Sequence, residues 1–321
     1  MRSTEIVNTS RSRKNDSGTA VRLNRLSAIQ RYEPGDLTVR VQAGVKVADL
    51  LRILGEHRQI LPLDGLPPES TVGGVLASAA HAPLATGYGL VRDFCIGIEF
   101  VTAQGEIAHA GGSVVKNVAG YDLMKLIIGS RGTLGIITSA TFKCFPTPQR
   151  TATLKLEFAS AADAVDYALR VRRSVLTPIR LELWCSGEEW RVLVTAIGSD
   201  AVIARYRNEL GDATLYEGLD EEGLWAKFGE SAASKCADLW FPVGSASSVV
   251  GCVRGASKIR GRIGLGNLVC EFEDEALVPS HPNVFIEWRN PRKPMELTPL
   301  MMRVKESLDP AGKLNPGAIA G

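Results

Sequence analysis

Apolar residues recur along the chain at two spacings, and these spacings predict its strands and helices. Residues 37–41 alternate apolar and polar side chains, which is typical of a half-buried strand. Residues 47–54 place apolar side chains three and four positions apart, which predicts a helix with one buried face. The same two spacings predict strands at 96–102, 106–110 and 135–145, and a short helix at 122–128.

A second block of elements begins after Pro146 and Pro148, where the prolines interrupt the pattern and indicate a domain boundary. Its order is strand, helix, strand, strand, helix, which predicts a ferredoxin-like α+β layer with one antiparallel sheet backed by helices. These elements are expected at 153–158, 161–173, 179–185, 190–196 and 200–210, followed by strands at 249–253, 267–272 and 284–288 and a last helix at 298–308.

Two stretches lack both spacings. Residues 1–22 are polar and basic, and we expect a disordered or misassigned tail there. They contain no apolar core of a signal peptide, and no stretch of the chain approaches the ~18–20 apolar residues of a membrane span. Residues 61–74 hold three prolines and three glycines, which predicts a long, shaped loop.

Glycine is enriched: the chain has 32 in 321 residues, about 10%, against an average near 7%. Three clusters, at 68–74, 116–122 and 129–135, combine glycine with side chains that form hydrogen bonds. Glycine lets a ligand approach the backbone closely, and free N–H groups at loop–helix junctions bind phosphate. Together the clusters predict a site for a large, phosphate-bearing cofactor.

Several classes of protein are disfavoured. No G-x-G-x-x-G opens a helix after a strand and no P-loop motif is present, so a Rossmann fold and P-loop hydrolysis are not supported. The formal net charge of +2, from 37 basic and 35 acidic residues, argues against nucleic-acid binding by bulk charge. The six cysteines form no C-x-x-C pair, which indicates buried, reduced thiols rather than metal ligands.

The glycine clusters carry a resemblance to a known family. Residues 70–138 resemble the second half of the PCMH-type FAD-binding domain of the vanillyl-alcohol-oxidase-like flavoproteins. Within that group, residues 111–122 (GGSVVKNVAGYD) resemble the FAD-binding E subunits of bacterial glycolate oxidases, as does the closing DPAGKLNPG at 309–317. The resemblance implies an FAD-binding domain over 23–148, an α+β cap over 149–295, and a C-terminal helix and tail at 296–321 that return to the FAD domain.

The resemblance also implies which residues hold FAD. The first cluster would line the flavin and ribityl region, and the last would contact the adenine side through its backbone. Residues 78–81 would lie close to the flavin ring or the pyrophosphate. The implied cofactor-binding residues are Pro68, Ser70, Thr71, Gly73, Gly74, Ser78, His81, Gly120, Tyr121, Gly132, Thr133, Leu134, Gly135, Ile136 and Ile137.

The implied function is that of an FAD-binding subunit of a glycolate-oxidase-like complex that oxidises 2-hydroxy acids. Its implied partners are a catalytic flavoprotein subunit and an iron–sulfur subunit. We expect the complex to be cytoplasmic, or peripheral at the inner membrane through a partner. Two alternatives stay open: an assembly subunit that has lost FAD, and an independent FAD-dependent 2-hydroxy acid oxidase or dehydrogenase.

The chain departs from the family in two ways. Nothing before Leu23 resembles the glycine-rich pyrophosphate loop, and no His-x-His pair of the catalytic relatives is present. His57, His109 and His281 are interpreted as structural, and so is His81, although it is better placed near the flavin. The basic residues between 254 and 262 are expected in a solvated loop, and the five tryptophans are expected to pack the second domain.

Overall fold

The chain divides into two units. The first comprises Met1–Ala82, Gly89–Thr147 and Pro294–Gly321, and the second comprises Pro83–Tyr88 and Pro148–Lys293. The computed structural model describes residues 4–6, 19–112, 122–230, 235–253, 255–274, 281–290 and 293–319.

The described elements follow in chain order. Those before residue 148 are β1 (Thr4–Ile6), β2 (Thr19–Val21), β3 (Ile29–Glu33), β4 (Thr38–Gln42), α1 (Val47–Glu56), β5 (Gln59–Ile60), α2 (Val72–Ser78), α3 (Ala85–Tyr88), α4 (Val91–Phe94), β6 (Cys95–Val101), β7 (Ile107–Gly111), α5 (Leu123–Ile127), β8 (Ile136–Lys143) and β9 (Phe145–Pro146). Those after it are β10 (Thr151–Phe158), α6 (Ala161–Arg173), β11 (Arg180–Ser186), β12 (Glu189–Ile197), α7 (Asp200–Leu210), β13 (Thr214–Tyr216), α8 (Gly218–Gly229), β14 (Lys235–Trp240), α9 (Ala246–Cys252), β15 (Ala256–Gly261), β16 (Asn267–Phe272), β17 (Phe285–Asn290) and α10 (Pro299–Leu308).

A five-stranded antiparallel sheet forms the centre of the first unit, in the order β3-β4-β8-β6-β7. The buried positions of β4 alternate, and Val39 and Val41 pair with Phe142 and Ala140 of β8. Helices α1 and α2 contribute Leu50, Leu54 and Leu76 to the same core. The strand and helix predicted at 37–54 are therefore confirmed, because burying one face requires these two spacings.

Two predictions in the first unit are wrong. The tail expected over 1–22 contains β1 and β2, which pair in parallel with Thr4 opposite Thr19. The loop expected over 61–74 ends early, because α2 begins at Val72. The Thr71 side chain accepts a hydrogen bond from the Gly74 amide, and Val72, Val75 and Leu76 are buried, so a cap and an apolar face outweigh the two glycines.

An eight-stranded antiparallel sheet dominates the second unit, in the order β13-β10-β12-β11-β15-β16-β14-β17. Helices α6, α7 and α9 bury their apolar faces against one side of it. Helix α8 packs on the other side, where Trp184, Leu193, Leu224 and Phe228 form a smaller cluster. This confirms the predicted α+β layer with an antiparallel sheet.

Two segments of the second unit have the opposite structure to the one expected. Residues 249–252 belong to helix α9 and Val253 is its C-cap; Val249 and Val253, one helical turn apart, are both buried in the core of the second unit. The segment expected as a solvated loop forms β15, whose Arg260 guanidinium donates to the Phe228 and Gly229 carbonyls at 2.8 Å. Tertiary contacts decide both cases.

The cysteines are free thiols, and five of the six are buried, as expected; Cys252 is exposed. Burial raises the pKa of Cys95 and of Cys144 to about 12. Within the described residues, no helix is long and apolar enough to cross a membrane. No group of acidic, histidine and cysteine side chains in that same part of the chain is arranged to hold a metal ion.

Candidate functional site

The first and third glycine clusters, some 60 residues apart in sequence, meet at helix α2. We call residues 129–135 the glycine loop. The amide of Gly129 donates to the Leu76 carbonyl at 2.8 Å, and the amide of Arg131 donates to the Ala77 carbonyl at 2.7 Å. These bonds attach the loop to the last turn of α2. The clusters therefore lie at one place in the fold, as the cofactor hypothesis requires.

The N-terminal end of α2 is attached to residues 43–47, which lead from β4 into α1. The Ser70 carbonyl accepts from the Val47 amide at 2.8 Å, and the Gly73 amide donates to the Ala43 carbonyl at 2.7 Å. The seven-residue helix is about 10 Å long, so it separates Ser70 from the glycine loop by roughly that length. An extended ligand is needed to contact both ends.

Two of the predicted glycines have a packing reason of their own. A Cβ at Gly73 would lie 2.8 Å from the Cβ of Ala43, and a Cβ at Gly135 would lie 2.7 Å from Cδ2 of Phe100. Both distances are well inside ordinary contact. These positions therefore require glycine for packing within the protein, which their sequence alone did not reveal.

The glycine loop contains a buried polar group without a partner. Ser130 is only 8% exposed, and its hydroxyl has no hydrogen-bond partner among the described residues. Arg131 and Gly132 next to it both adopt positive φ, at 53° and 73°. Buried hydroxyls are normally satisfied, and left-handed turns form concavities that bind anions. The loop therefore fits the phosphate and adenine groups of a dinucleotide such as FAD.

The remaining predicted site residues are distributed around these two ends. Ser78 donates from its hydroxyl to the Gly74 carbonyl at 2.7 Å, and His81 is buried with Nδ1 3.1 Å from the Ala79 carbonyl. Gly120 and Tyr121 lie outside the described residues. The others are placed as follows: Pro68 is exposed, Thr71, Gly74, Leu134 and Ile136 are half-buried, and Thr133 and Ile137 are buried.

The four histidines of the chain each make a different local contact. His57 packs edge-on against Tyr32, and His109 lies 3.7 Å from a Glu99 oxygen. His281 of the second unit lies 3.3 Å from the Ser248 hydroxyl, and its Nδ1 accepts from the Asn283 amide. These contacts agree with the structural interpretation of the three histidines.

The second unit contains a row of buried charges that the sequence analysis did not identify. Arg262 and Glu182 are 4% and 0% exposed, and their nearest charged atoms are 3.6 Å apart. Arg262 also donates to Asn267 at 3.1 Å, and the buried Asp238 pairs with Arg289, whose side chain is exposed. The polar–apolar alternation of Lys258, Ile259 and Arg260 is typical of a strand. It was the sequence signal that could have predicted β15 and so placed these charges in the sheet.

A cavity of about 600 Å³ opens in the second unit beside the start of α8. Its wall includes Arg180, whose guanidinium lies 4.6 Å from the centre of the Trp225 ring. Glu221 in the same wall accepts hydrogen bonds from the Thr151 and Thr153 hydroxyls at 2.8 and 2.6 Å. Because these contacts satisfy the buried carboxylate within the protein, they stabilise the packing of α8 on β10.

Two families of known domains match this chain. The FAD binding domain matches residues 6–111, and the C-terminal domain of FAD linked oxidases matches residues 286–319. The first match begins inside the predicted tail, where β1 lies. The second covers α10 and the residues after it, and we call residues 299–319 the closing segment.

Three relatives resemble part of the chain. Glycolate oxidase subunit GlcE of Escherichia coli is 36% identical over 135 residues, covering 41% of this chain and 38% of that protein. Glycolate oxidase subunit GlcD of Bacillus subtilis is 33% identical over 168 residues, covering 52% and 36%. D-lactate dehydrogenase of Archaeoglobus fulgidus is 33% identical over 192 residues, covering 59% and 42%. The matches span less than half the length of each relative.

The fold extends the likeness over the whole chain. A solved structure of alkyldihydroxyacetonephosphate synthase superposes with a TM-score of 0.68, covering 98% of this chain and 71% of that one, at 14% identity. The chain therefore contains an FAD binding domain and a C-terminal domain of the FAD linked oxidases, and both matches support FAD as its cofactor.

Proposed function

We propose that this PCMH-type flavoprotein is the FAD-binding subunit of a complex that oxidises a small 2-hydroxy acid, of the glycolate oxidase type. The relatives named as glycolate oxidase subunits and as a D-lactate dehydrogenase support an FAD-dependent oxidation of 2-hydroxy acids. We further propose that its partners are a catalytic flavoprotein subunit and an iron–sulfur subunit, in the cytoplasm or at the inner membrane.

One observation carries the cofactor part of this proposal: the closing segment contacts the glycine loop directly. The Lys305 ammonium donates to the Thr133 carbonyl at 2.8 Å, and the side-chain amide of Asn315 donates to the Arg131 carbonyl at 2.6 Å. Both donors lie in the part matched by the FAD linked oxidase domain. The segment matched by that domain and the glycine loop therefore form one structure in the first unit.

In the proposed complex, the chain's own residues bind and orient the cofactor. The glycine loop would hold the adenosine end of FAD through Ser130 and its backbone amides, and residues 68–71 would lie along the flavin and ribityl end. Bound FAD would supply an acceptor for the two electrons that the hydroxy acid loses on oxidation. Ile137, which is buried in the core, would support the floor of this site.

Removal of the hydroxyl proton requires a base, and the substrate carboxylate requires a cation. We assign both to the catalytic flavoprotein subunit, because the histidines of this chain are held in separate local contacts. The proposed role of this chain is then to carry FAD and electrons within the complex.

The proposal is tested by purifying the chain alone and with its genomic neighbours. FAD content is read from visible absorbance and from fluorescence of the released cofactor. Reduction of a redox dye is then measured with glycolate and with D-lactate. We expect FAD in both preparations and substrate-dependent dye reduction only in the complex.

The alternatives give different results in the same assays. Dye reduction by the chain alone, with FAD added, would establish an independent oxidase. A colourless protein whose melting temperature does not change with saturating FAD would establish an assembly subunit.

A further inference from the structure

Side chains of the closing segment bind carbonyl groups of the glycine loop. Lys305 and Asn315 donate to the carbonyls of Thr133 and Arg131, respectively, across sequence separations of 172 and 184 residues. These two carbonyls lie on either side of Gly132. The contacts therefore determine how the peptide units of the loop are oriented.

A peptide group is planar and trans, so its N–H points opposite to its C=O. The carbonyl of Arg131 shares a peptide unit with the amide of Gly132, and that of Thr133 shares one with the amide of Leu134. Because Asn315 and Lys305 bind the carbonyls, both amides are turned away from the closing segment. Within the part of the chain that the structure describes, neither amide donates a hydrogen bond.

Unused amides in a buried loop indicate a ligand. Gly132 is buried and Leu134 is half-buried, and the unpartnered Ser130 hydroxyl lies two residues before Gly132. A buried N–H without a partner costs free energy comparable to a lost hydrogen bond, so such groups are rare in native structures. Two amides and one hydroxyl in a turn with positive φ make a donor set for the oxygens of phosphate or the ring nitrogens of adenine.

Asp309 holds the closing segment in place. It is 2% exposed and pairs with the Lys305 ammonium. Its carboxylate also accepts from the amides of Lys313 and Leu314, at 3.0 and 2.8 Å. The carboxylate therefore fixes both the ammonium and the backbone that leads to Asn315.

We propose that Lys305, Asp309 and Asn315 are positioning residues that turn the amides of Gly132 and Leu134 toward the adenosine diphosphate half of FAD. The proposal rests on the proposed FAD-binding function and adds the residues that make it specific. Lys305 and Asn315 act through the loop, since their own donor groups are used on its carbonyls.

The test compares three ligands, FAD, ADP and riboflavin, by calorimetric titration of the full-length protein. Asn315→Gly keeps the positive φ of 42° accessible but removes the donor. We expect it to weaken FAD and ADP binding by about 3- to 10-fold and to leave riboflavin binding unchanged. Lys305→Met should act in the same direction, and Lys305→Arg should restore part of the ADP affinity.

The controls separate positioning from folding. Arg303→Met removes an exposed cation from the same helix and should change neither the affinities nor the melting temperature. Unchanged ADP affinity in Asn315→Gly overturns the positioning role, and so does equal loss of ADP and riboflavin binding. Binding of FAD without binding of ADP by the wild type overturns the assignment to the adenosine diphosphate half. If the wild type binds none of the three ligands, the proposed function itself fails.

Discussion

The Ser130 hydroxyl allows a test in which stability and cofactor affinity should change in opposite directions. In the protein without ligand, this hydroxyl is buried and has no hydrogen-bond partner among the described residues. Such a group destabilises the folded state, because it loses its bonds to water on folding. Ser130→Ala removes the hydroxyl and changes little else in size.

The expected magnitudes follow from the cost of an unsatisfied polar group. That cost is about 1–3 kcal/mol, so the free energy of unfolding without FAD should stay equal or rise by about 1 kcal/mol. The wild type regains the bond when FAD binds, and the variant does not. FAD affinity should therefore fall by about 1–3 kcal/mol, or roughly 5- to 150-fold in Kd.

Urea unfolding of the apo protein gives the stability, and quenching of flavin fluorescence gives the affinity. Ser139→Ala is the matched control, because it removes a buried hydroxyl bonded to Arg40 at 3.2 Å. It should lower stability and change FAD affinity less than twofold. A Ser130→Ala variant that loses stability while keeping its affinity for FAD would refute the reasoning, since the hydroxyl would then have a role within the protein.

Three further predictions concern packing and charge. Gly135→Val should destabilise the apo protein by about 1–3 kcal/mol in urea unfolding, because its side chain overlaps Phe100; a fully stable variant would contradict the packing argument. Burial alone would raise the pKa of Asp309, but the Lys305 ammonium and two backbone amides outweigh it and hold that pKa below its usual value. Asp309 therefore stabilises the fold above its unfolded pKa of about 3.9, and this contribution is lost as pH falls through the lower folded pKa. Asp309→Asn should reduce the free energy of unfolding at pH 7 and make that free energy depend less on pH in acid. Arg262→Met should lower the free energy of unfolding by about 3–5 kcal/mol because it removes the guanidinium 3.6 Å from the buried Glu182 carboxylate, whereas adding Glu182→Leu should recover much of the loss; a double variant as unstable as the single one would show that the pair is not coupled.

Much of the element order could be predicted from local sequence. Helices α6 and α7 have the predicted bounds, and α10 begins one residue later than expected. Their apolar residues repeat at helical spacing, and each buries a single face, so the pattern along the chain directly reflects the packing. The family resemblance and the FAD cofactor were also accessible from the sequence, because the glycine clusters are contiguous stretches.

Tertiary structure decided what those residues do. Val249 and Val250 have strand propensity, yet they lie in α9, because the second-unit sheet offers a surface that a helix covers. Gly73 and Gly135 were recognised as glycines, but the backbone and side chain that exclude a Cβ at each lie at least 30 positions away in the sequence. No local pattern carries that information.

The glycine loop shows the same division most directly. The sequence by itself determined that residues 129–135 form a glycine-rich turn after a short helix. Carbonyls of this loop bind Lys305 and Asn315, and the amides of the same peptide units therefore point away from the closing segment. This orientation depends on contacts between residues more than 170 positions apart. Hydrogen bonds over such distances form only when the chain folds, because they require the packed core to bring the two segments together.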